Sequence, residues 1–302
     1  MTKIRETGNS SMIDDRRGSS GGGGGLGGGL GGMLGGGGLP LPGKLGGGLV
    51  GILVALAVFI LPRVLGGNSA TNNTASVGSG SQAADLADGT CNSELESIVC
   101  GAVEDVQKFW DREFTKEGRS YEFTKTVFFA DATDTGCGQA SSSTGPFYCP
   151  NDHLVYLDLN FLVQLENQFG IKGDLASQYI VAHEYGHHIQ NLFGTNAKVQ
   201  QAERNDPGNA NKYSVALELQ ADCYAGVWAN DANNRGLLDN AGEVNEALDA
   251  AAAVGDDRIQ QKTQGRVDPE TFTHGTAEQR KQWFQRGYSS GDDTQCNTFD
   301  EI

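Results

Sequence analysis

Three of the chain's five histidines fall within six residues, in the stretch His183-Glu184-Tyr185-Gly186-His187-His188, and this stretch constrains the fold more than any other. It contains the pattern His-Glu-x-x-His. Residues four apart on an α-helix project from the same face one turn apart, so His183 and His187 can present their rings to one ion. That geometry requires a helix, expected over about residues 174–193. Val181, Ala182, Ile189 and Leu192 flank the polar stripe with apolar side chains, as a buried helix needs. Glu184 sits beside the ligand face, where a carboxylate can serve as general base toward a zinc-activated water instead of binding the metal. His188 is expected to pack or bond beside Glu184. Gly186 leaves room for close packing of another element, at a helix-propensity cost of about 1 kcal/mol relative to Ala. Short motifs of this kind also occur by accident on ordinary amphipathic helices, so the rest of a site has to be found elsewhere in the chain.

Two histidines need at least one more protein ligand to make a catalytic zinc site. The metzincin pattern would place glycine at 190 and histidine at 193; Gln190 and Phe193 exclude it. Downstream, Glu218-Leu219-Gln220-Ala221-Asp222 puts two carboxylates four apart on one face of a mostly apolar helix. Acids on a buried helix need partners. Glu218 is therefore expected to bind one zinc ion per chain together with His183 and His187. Asp222 is expected to accept the free ring N–H of a ligand histidine and fix its tautomer.

The chain carries 38 acidic and 22 basic residues for a net charge of −16, which argues against nucleic acid as a partner. Most of the excess among its 44 glycines falls between Gly18 and Gly51. Residues 1–44 read as a Gly-rich disordered tail. From Leu45 to Leu65 the chain is apolar or glycine apart from Pro62 and Arg63, about the length a membrane-spanning helix requires. Residues 66–87 read as a polar linker and 88–302 as one domain. Basic residues outnumber acidic ones before the span, which predicts a cytoplasmic N-terminus and an extracytoplasmic domain at the inner membrane. All six cysteines (Cys91, Cys100, Cys137, Cys149, Cys223, Cys296) follow the span, as disulfides in an oxidising compartment would. Six cysteines allow 15 connectivities. The local pairs Cys91–Cys100 and Cys137–Cys149 are favoured, leaving Cys223–Cys296.

Helical periodicity marks residues 95–114, with further helices near 161–169, 210–230, 241–263 and 276–287. Strands are expected over Tyr121–Phe129 and His153–Asp158, the latter able to pair with an extended peptide along its edge. Strands first and helices after make a helix-dominated α+β fold with a small N-terminal sheet.

Several stretches resemble the bacterial membrane-anchored neutral zinc metallopeptidase family: IDDRRG at Ile13–Gly18, the Gly-rich tract and span, HEYGHHIQ at His183–Gln190, ELQADCYAGVW at Glu218–Trp228, VGDDRIQ at Val254–Gln260 and FTHGTAEQR at Phe272–Arg280. The resemblance covers nearly the whole chain. It implies a zincin-like metallopeptidase domain preceded by one transmembrane helix, with His183, His187 and Glu218 as ligands and Glu184 as base. A looser resemblance, to the membrane-associated gluzincins, adds a later histidine followed six residues on by an arginine, here His274 and Arg280. It implies that His274 donates to a developing oxyanion and that Arg280 orients Asp222 or substrate. Tyr224 is a weaker candidate for the oxyanion role, and Asp256, Asp257 and Arg258 are expected to form a structural ion-pair cluster. The expected activity is hydrolysis of a peptide or protein substrate by a membrane-anchored enzyme. The competing expectations are a non-catalytic envelope scaffold with a structural zinc and a zinc hydrolase of cell-wall peptides or other amides. Glu184 separates scaffold from enzyme, since a structural site has no use for it.

Overall fold

The structure is a computed structural model that describes residues 1–18, 89, 91–171, 173–239 and 241–301. Its strands are β1 (Ile13–Asp15), β2 (Thr126–Phe128), β3 (Ala132–Thr135), β4 (Gly138–Ser141), β5 (Phe147–Cys149) and β6 (Leu154–Leu157). They form a four-stranded sheet in the order β1-β2-β6-β5 and an antiparallel hairpin of β3 with β4. In the larger sheet β1 and β6 flank β2 in parallel, and β5 joins β6 antiparallel.

The first helix, α1 (Glu94–Lys116), begins at a capping box. The Ser93 hydroxyl accepts from the Glu96 N–H while the Glu96 carboxylate accepts from the Ser93 N–H. Its buried stripe of Val99, Val103, Val106 and Trp110 recurs at helical spacing. Six helices of the sequence's second half follow α2 (Leu159–Phe169): α3 (Asp174–Leu192), α4 (Thr195–Asn205), α5 (Ala210–Asn234), α6 (Ala241–Ala253), α7 (Asp256–Gln264) and α8 (Ala277–Ser290). Helix α3 packs against α1, α5 and α6, and α5 packs along α8. Every residue of α3 from Gln178 to Gln190 is buried, so this helix lacks a solvent face and its polar side chains must find partners inside the protein. Disulfides join Cys91 to Cys100, Cys137 to Cys149 and Cys223 to Cys296, and no cysteine is free.

The N-terminus departs most from expectation. Ile13, Asp14 and Asp15 pair with Thr126, Val127 and Phe128. Gly8 and Ser10 exchange backbone hydrogen bonds with Cys91 and Gly89. Arg5 bonds Asp174 at 2.8 Å, and Arg17 bonds Glu96 at 2.8 Å as well as Asp15. Residues 1–18 are thus part of the domain and not a disordered cytoplasmic tail. This overturns the single membrane crossing: residues on both sides of the 45–65 stretch belong to one folded body, which a chain crossing a bilayer once would separate. Among the described residues no helix is long and apolar enough to cross a membrane. The expected span 45–65 and linker 66–87 lie outside the described residues. A three-residue strand flanked by charges has no periodic signal; pairing with β2 and the Arg17 ion pairs hold it in place.

Smaller differences have local causes. Of the expected strand at 121–129, only 126–128 pairs. The expected 241–263 helix is two helices, α6 and α7, broken at Gly255. A Cβ there would lie 2.3 Å from the Ala277 nitrogen, so the chain bends where the start of α8 comes too close for a side chain. Helix α4 was not expected. Strand β6 is interior, with β2 on one side and β5 on the other, so it has no free edge for a peptide.

Candidate metal centre

The close approach of α3 and α5 builds the centre. A Cβ on Gly186 would meet the Ala221 Cα and carbonyl oxygen at 3.0 Å, so a side chain there would have to push the two backbones apart by a few tenths of an ångström. The contact brings the His183–His187 face of α3 onto the Glu218–Asp222 face of α5. The His183 Nε2 lies 3.2 Å from Glu218 Oε2, and the His187 Nε2 lies 3.5 Å from Glu218 Oε1. One ligand atom from each of His183, His187 and Glu218 falls within 4.8 Å of the other two, and all three residues are buried.

The other nitrogen of each ring is held by a neighbour. The His183 Nδ1 lies 2.7 Å from Asp222 Oδ1, and the His187 Nδ1 lies 2.7 Å from Gln190 Oε1. At this centre two of the buried atoms without a hydrogen-bond partner are His187 Nε2 and Glu184 Oε2. Leaving a buried polar atom unsatisfied costs on the order of 1–3 kcal/mol, a cost that coordination of an ion by His187 removes. Two imidazoles and a carboxylate are a donor set that suits zinc. These residues therefore fit a zinc ion.

Over residues 2–299 the chain matches the family described as "Putative neutral zinc metallopeptidase". The chain belongs to this zinc metallopeptidase family. The uncharacterized protein YpfJ of Escherichia coli strain K12 is 41% identical over 301 residues, covering 98% of this chain and 96% of YpfJ. The uncharacterized protein Mb2605 of Mycobacterium bovis is 50% identical over 183 residues, covering 57% of this chain and 60% of that protein. The same figures describe the uncharacterized protein Rv2575 of Mycobacterium tuberculosis H37Rv. No solved structure matches the chain at a significant level.

Within this family member, the charges around the centre are arranged by burial and pairing. Burial opposes ionisation of Asp222, but the Arg280 guanidinium and His183 hold its carboxyl well below the usual range. Asp222 Oδ1 accepts from Tyr179 Oη at 2.5 Å, from His183 Nδ1 and from Arg280 Nη2, while Oδ2 accepts from Arg280 Nε. Burial likewise works against a charged Glu218, yet His187 and His274 help bring it down to about 2. Burial lowers His183, but Asp222 and Glu218 outweigh it and raise the ring to about 9. His187, with an amide in place of a carboxylate as partner, is lowered by burial to about 4. Glu184 is pushed by burial up to about 8.

Of the remaining expected residues, Arg280 is fully buried against Asp222. His274 stands in the loop before α8, with its Nδ1 3.1 Å from Asp256 Oδ1 and its charge felt at Glu218. His188 does not bond Glu184. Its Nε2 lies 2.7 Å from the Glu122 carbonyl, which can only accept, so its Nδ1 accepts from the Tyr148 hydroxyl at 3.1 Å. This fastens edge strand β5 to α3, and the Tyr148 backbone N–H reaches Glu184. Tyr224 packs in the core, edge-on to Trp110 and Phe193. The expected ion-pair cluster at 256–258 is instead a loop anchor: Asp256 accepts from the backbone N–H groups of Thr273, His274 and Gly275, and Asp257 from that of Ala277. Sequence reasoning missed Tyr179, Tyr148, Gln190 and Gln220. Gln190 and Tyr179 carried a signal, one three residues beyond His187 and the other four residues before His183 on the same helix.

Proposed function

We propose that this protein hydrolyses peptide bonds with a zinc ion held by His183, His187 and Glu218 and with Glu184 as general base, a gluzincin-like arrangement. The observation that carries the reading is the buried Glu184 carboxylate, which has an unpartnered oxygen beside the three-ligand cluster. A buried carboxylate with one oxygen left unpartnered is destabilising unless that oxygen has work to do.

When bound, zinc would supply a Lewis acid that lowers the pKa of water and stabilises negative charge on the substrate carbonyl oxygen. Glu184 takes the proton from water on its free oxygen and returns it to the leaving amine. Asp222 and Gln190 hold protons on the Nδ1 atoms of His183 and His187, which leaves both Nε2 lone pairs for the ion. Arg280 and Tyr179 keep Asp222 fixed and ionised. His274, steadied by Asp256, supplies an N–H donor from the α8 side. Three disulfides support an oxidising, extracytoplasmic location for the domain.

Metal analysis alongside cleavage of a mixed peptide library tests the proposal, on wild type and Glu184→Gln. A wild type that binds zinc yet cleaves nothing in a broad library would favour the scaffold with a structural zinc.

A further inference from the structure

The two ligand histidines are supported in chemically different ways. The His183 ring leans on the Asp222 carboxylate and the His187 ring on a neutral amide. An amide side chain can present either its oxygen or its nitrogen, so what His187 meets depends on what fixes Gln190. The hydrogen bonds decide this from their far ends. Leu217 O is a backbone carbonyl and can only accept. It lies 2.6 Å from Gln190 Nε2, which turns Gln190 Oε1 toward His187. Gln190 Nε2 also donates to Gln220 Oε1 at 3.1 Å. The orientation of Gln220 is fixed in the same manner, because its Nε2 donates at 2.9 Å to the Cys296 carbonyl. Both amides are buried, Gln190 completely. With Gln190 Oε1 facing it, His187 Nδ1 must carry the proton, and Nε2 keeps its lone pair. That Nε2 is the ring atom left without a partner.

The far end of this relay is itself secured. Cys296 closes a short helical turn, Asp293–Cys296, and is tied to Cys223 on α5 by a disulfide. Two residues on, the Thr298 hydroxyl donates to the Ala216 carbonyl at 2.5 Å.

We infer that Gln190 and Gln220 are positioning residues that lock His187 in its Nδ1–H tautomer, and that the disulfide-tied C-terminal segment is part of the support of the metal centre. The inference rests on the proposed zinc site. It assigns the end of the chain, over 100 residues from His187 in sequence, a role in metal affinity. The asymmetry also has a consequence for the ligands. A carboxylate partner adds electron density to the His183 ring, whereas the amide orients His187 without adding charge to a centre that already holds Glu184, Glu218 and Asp222.

Two measurements on the full-length protein test this. In metal-free wild type labelled with nitrogen-15 histidine, His187 is expected as the Nδ1–H tautomer, and in Gln190→Leu that preference is expected to be lost. In chelator competition with zinc alone, Gln190→Leu is expected to bind about 10- to 100-fold more weakly. Gln220→Leu is expected to weaken binding less, and Gln190→Glu, which keeps an acceptor for Nδ1–H, to recover part of the loss. A merely structural role would lower melting temperature and leave the tautomer and zinc affinity of the folded variants unchanged, and that result overturns the inference. So does an Nε2–H tautomer in the metal-free wild type. If Gln190→Leu does not fold, Gln220→Leu, further from the ligands, decides the affinity question. Failure of wild type to bind zinc would instead remove the metal centre, while the tautomer of His187 would still report on Gln190.

Discussion

Arg280 and Asp222 form a two-pronged ion pair in which neither side chain is exposed: Nε to Oδ2 at 2.7 Å and Nη2 to Oδ1 at 2.8 Å. Helix α8 thereby holds α5, and through Asp222 it holds the His183 ring on α3. Removing one partner of a buried pair strands the other charge, at a cost of about 3–5 kcal/mol. Arg280→Met is expected to lose that much stability by urea denaturation. Arg280→Met combined with Asp222→Asn should be less destabilised than Arg280→Met alone. An Arg280→Met protein as stable as wild type would contradict the pairing.

Glu184→Gln keeps the side-chain shape and removes the proton acceptor. Zinc content and fold are expected to stay as in wild type, while peptide cleavage falls by about 10²- to 10⁴-fold. Wild-type turnover by this variant would rule out Glu184 as the base.

Glu218→Ala removes the one ligand contributed by α5. Stoichiometric zinc should be lost on dialysis, whereas Asp222→Asn should retain zinc with affinity lowered about 10- to 100-fold. Full, tight occupancy in Glu218→Ala would mean that another residue completes the centre.

The loop carrying His274 should respond to pH through Asp256. Burial opposes the charge on Asp256, but bonds from His274 and the loop N–H groups depress its pKa; this stabilisation is present above the unfolded value of about 4 and is lost as pH falls through the folded one. Burial lowers His274, but Glu218 and Asp256 raise it overall; its contribution is complete below the unfolded value of about 6.5 and is lost as pH rises through the folded one. The pair therefore contributes most between about pH 4 and pH 6.5. Unfolding measured from below about pH 4 to above about pH 6.5 should show a smaller loss of stability at the two ends for Asp256→Asn than for wild type. Parallel curves for the two proteins would be the contrary result.

Residues 1–18 are expected to be needed for stability. Arg17 neutralises two buried acids, Asp15 and Glu96, with side chains 2% and 1% exposed. Arg17→Met should cost about 3–5 kcal/mol, read by chemical denaturation of the full chain. A change of a few tenths would show that the N-terminal strand is only loosely docked.

Much of the centre was legible in the sequence, because helical spacing is local. Four residues separate His183 from His187 and Glu218 from Asp222, and 3.6 residues per turn put each pair on one face wherever the helix lies. The cysteine spacings similarly made two short disulfides reasonable. Gln190 could have been read from the same periodicity. Tyr179, four residues before His183 on the same helix, could have been read the same way, whereas Tyr148 could not, since it reaches α3 from strand β5; Gln220 lies on the Glu218 helix, but its role depends on the Cys296 carbonyl.

What the sequence alone determined, then, was the helices and the residue types each one turns to a single side. The tertiary structure decided which faces meet. Only the packing of α3 on α5 at Gly186 and Ala221 brings Glu218 to the histidines, and only the passage of the chain's end past α5 delivers the Cys296 carbonyl to Gln220. The N-terminal strand belongs wholly to this second group. Ile13–Asp15 has too few residues to show a period and too many charged neighbours to look buried. Its stability comes from backbone hydrogen bonds to β2 and from Arg17 reaching Glu96, partners more than 75 residues away that no local pattern encodes.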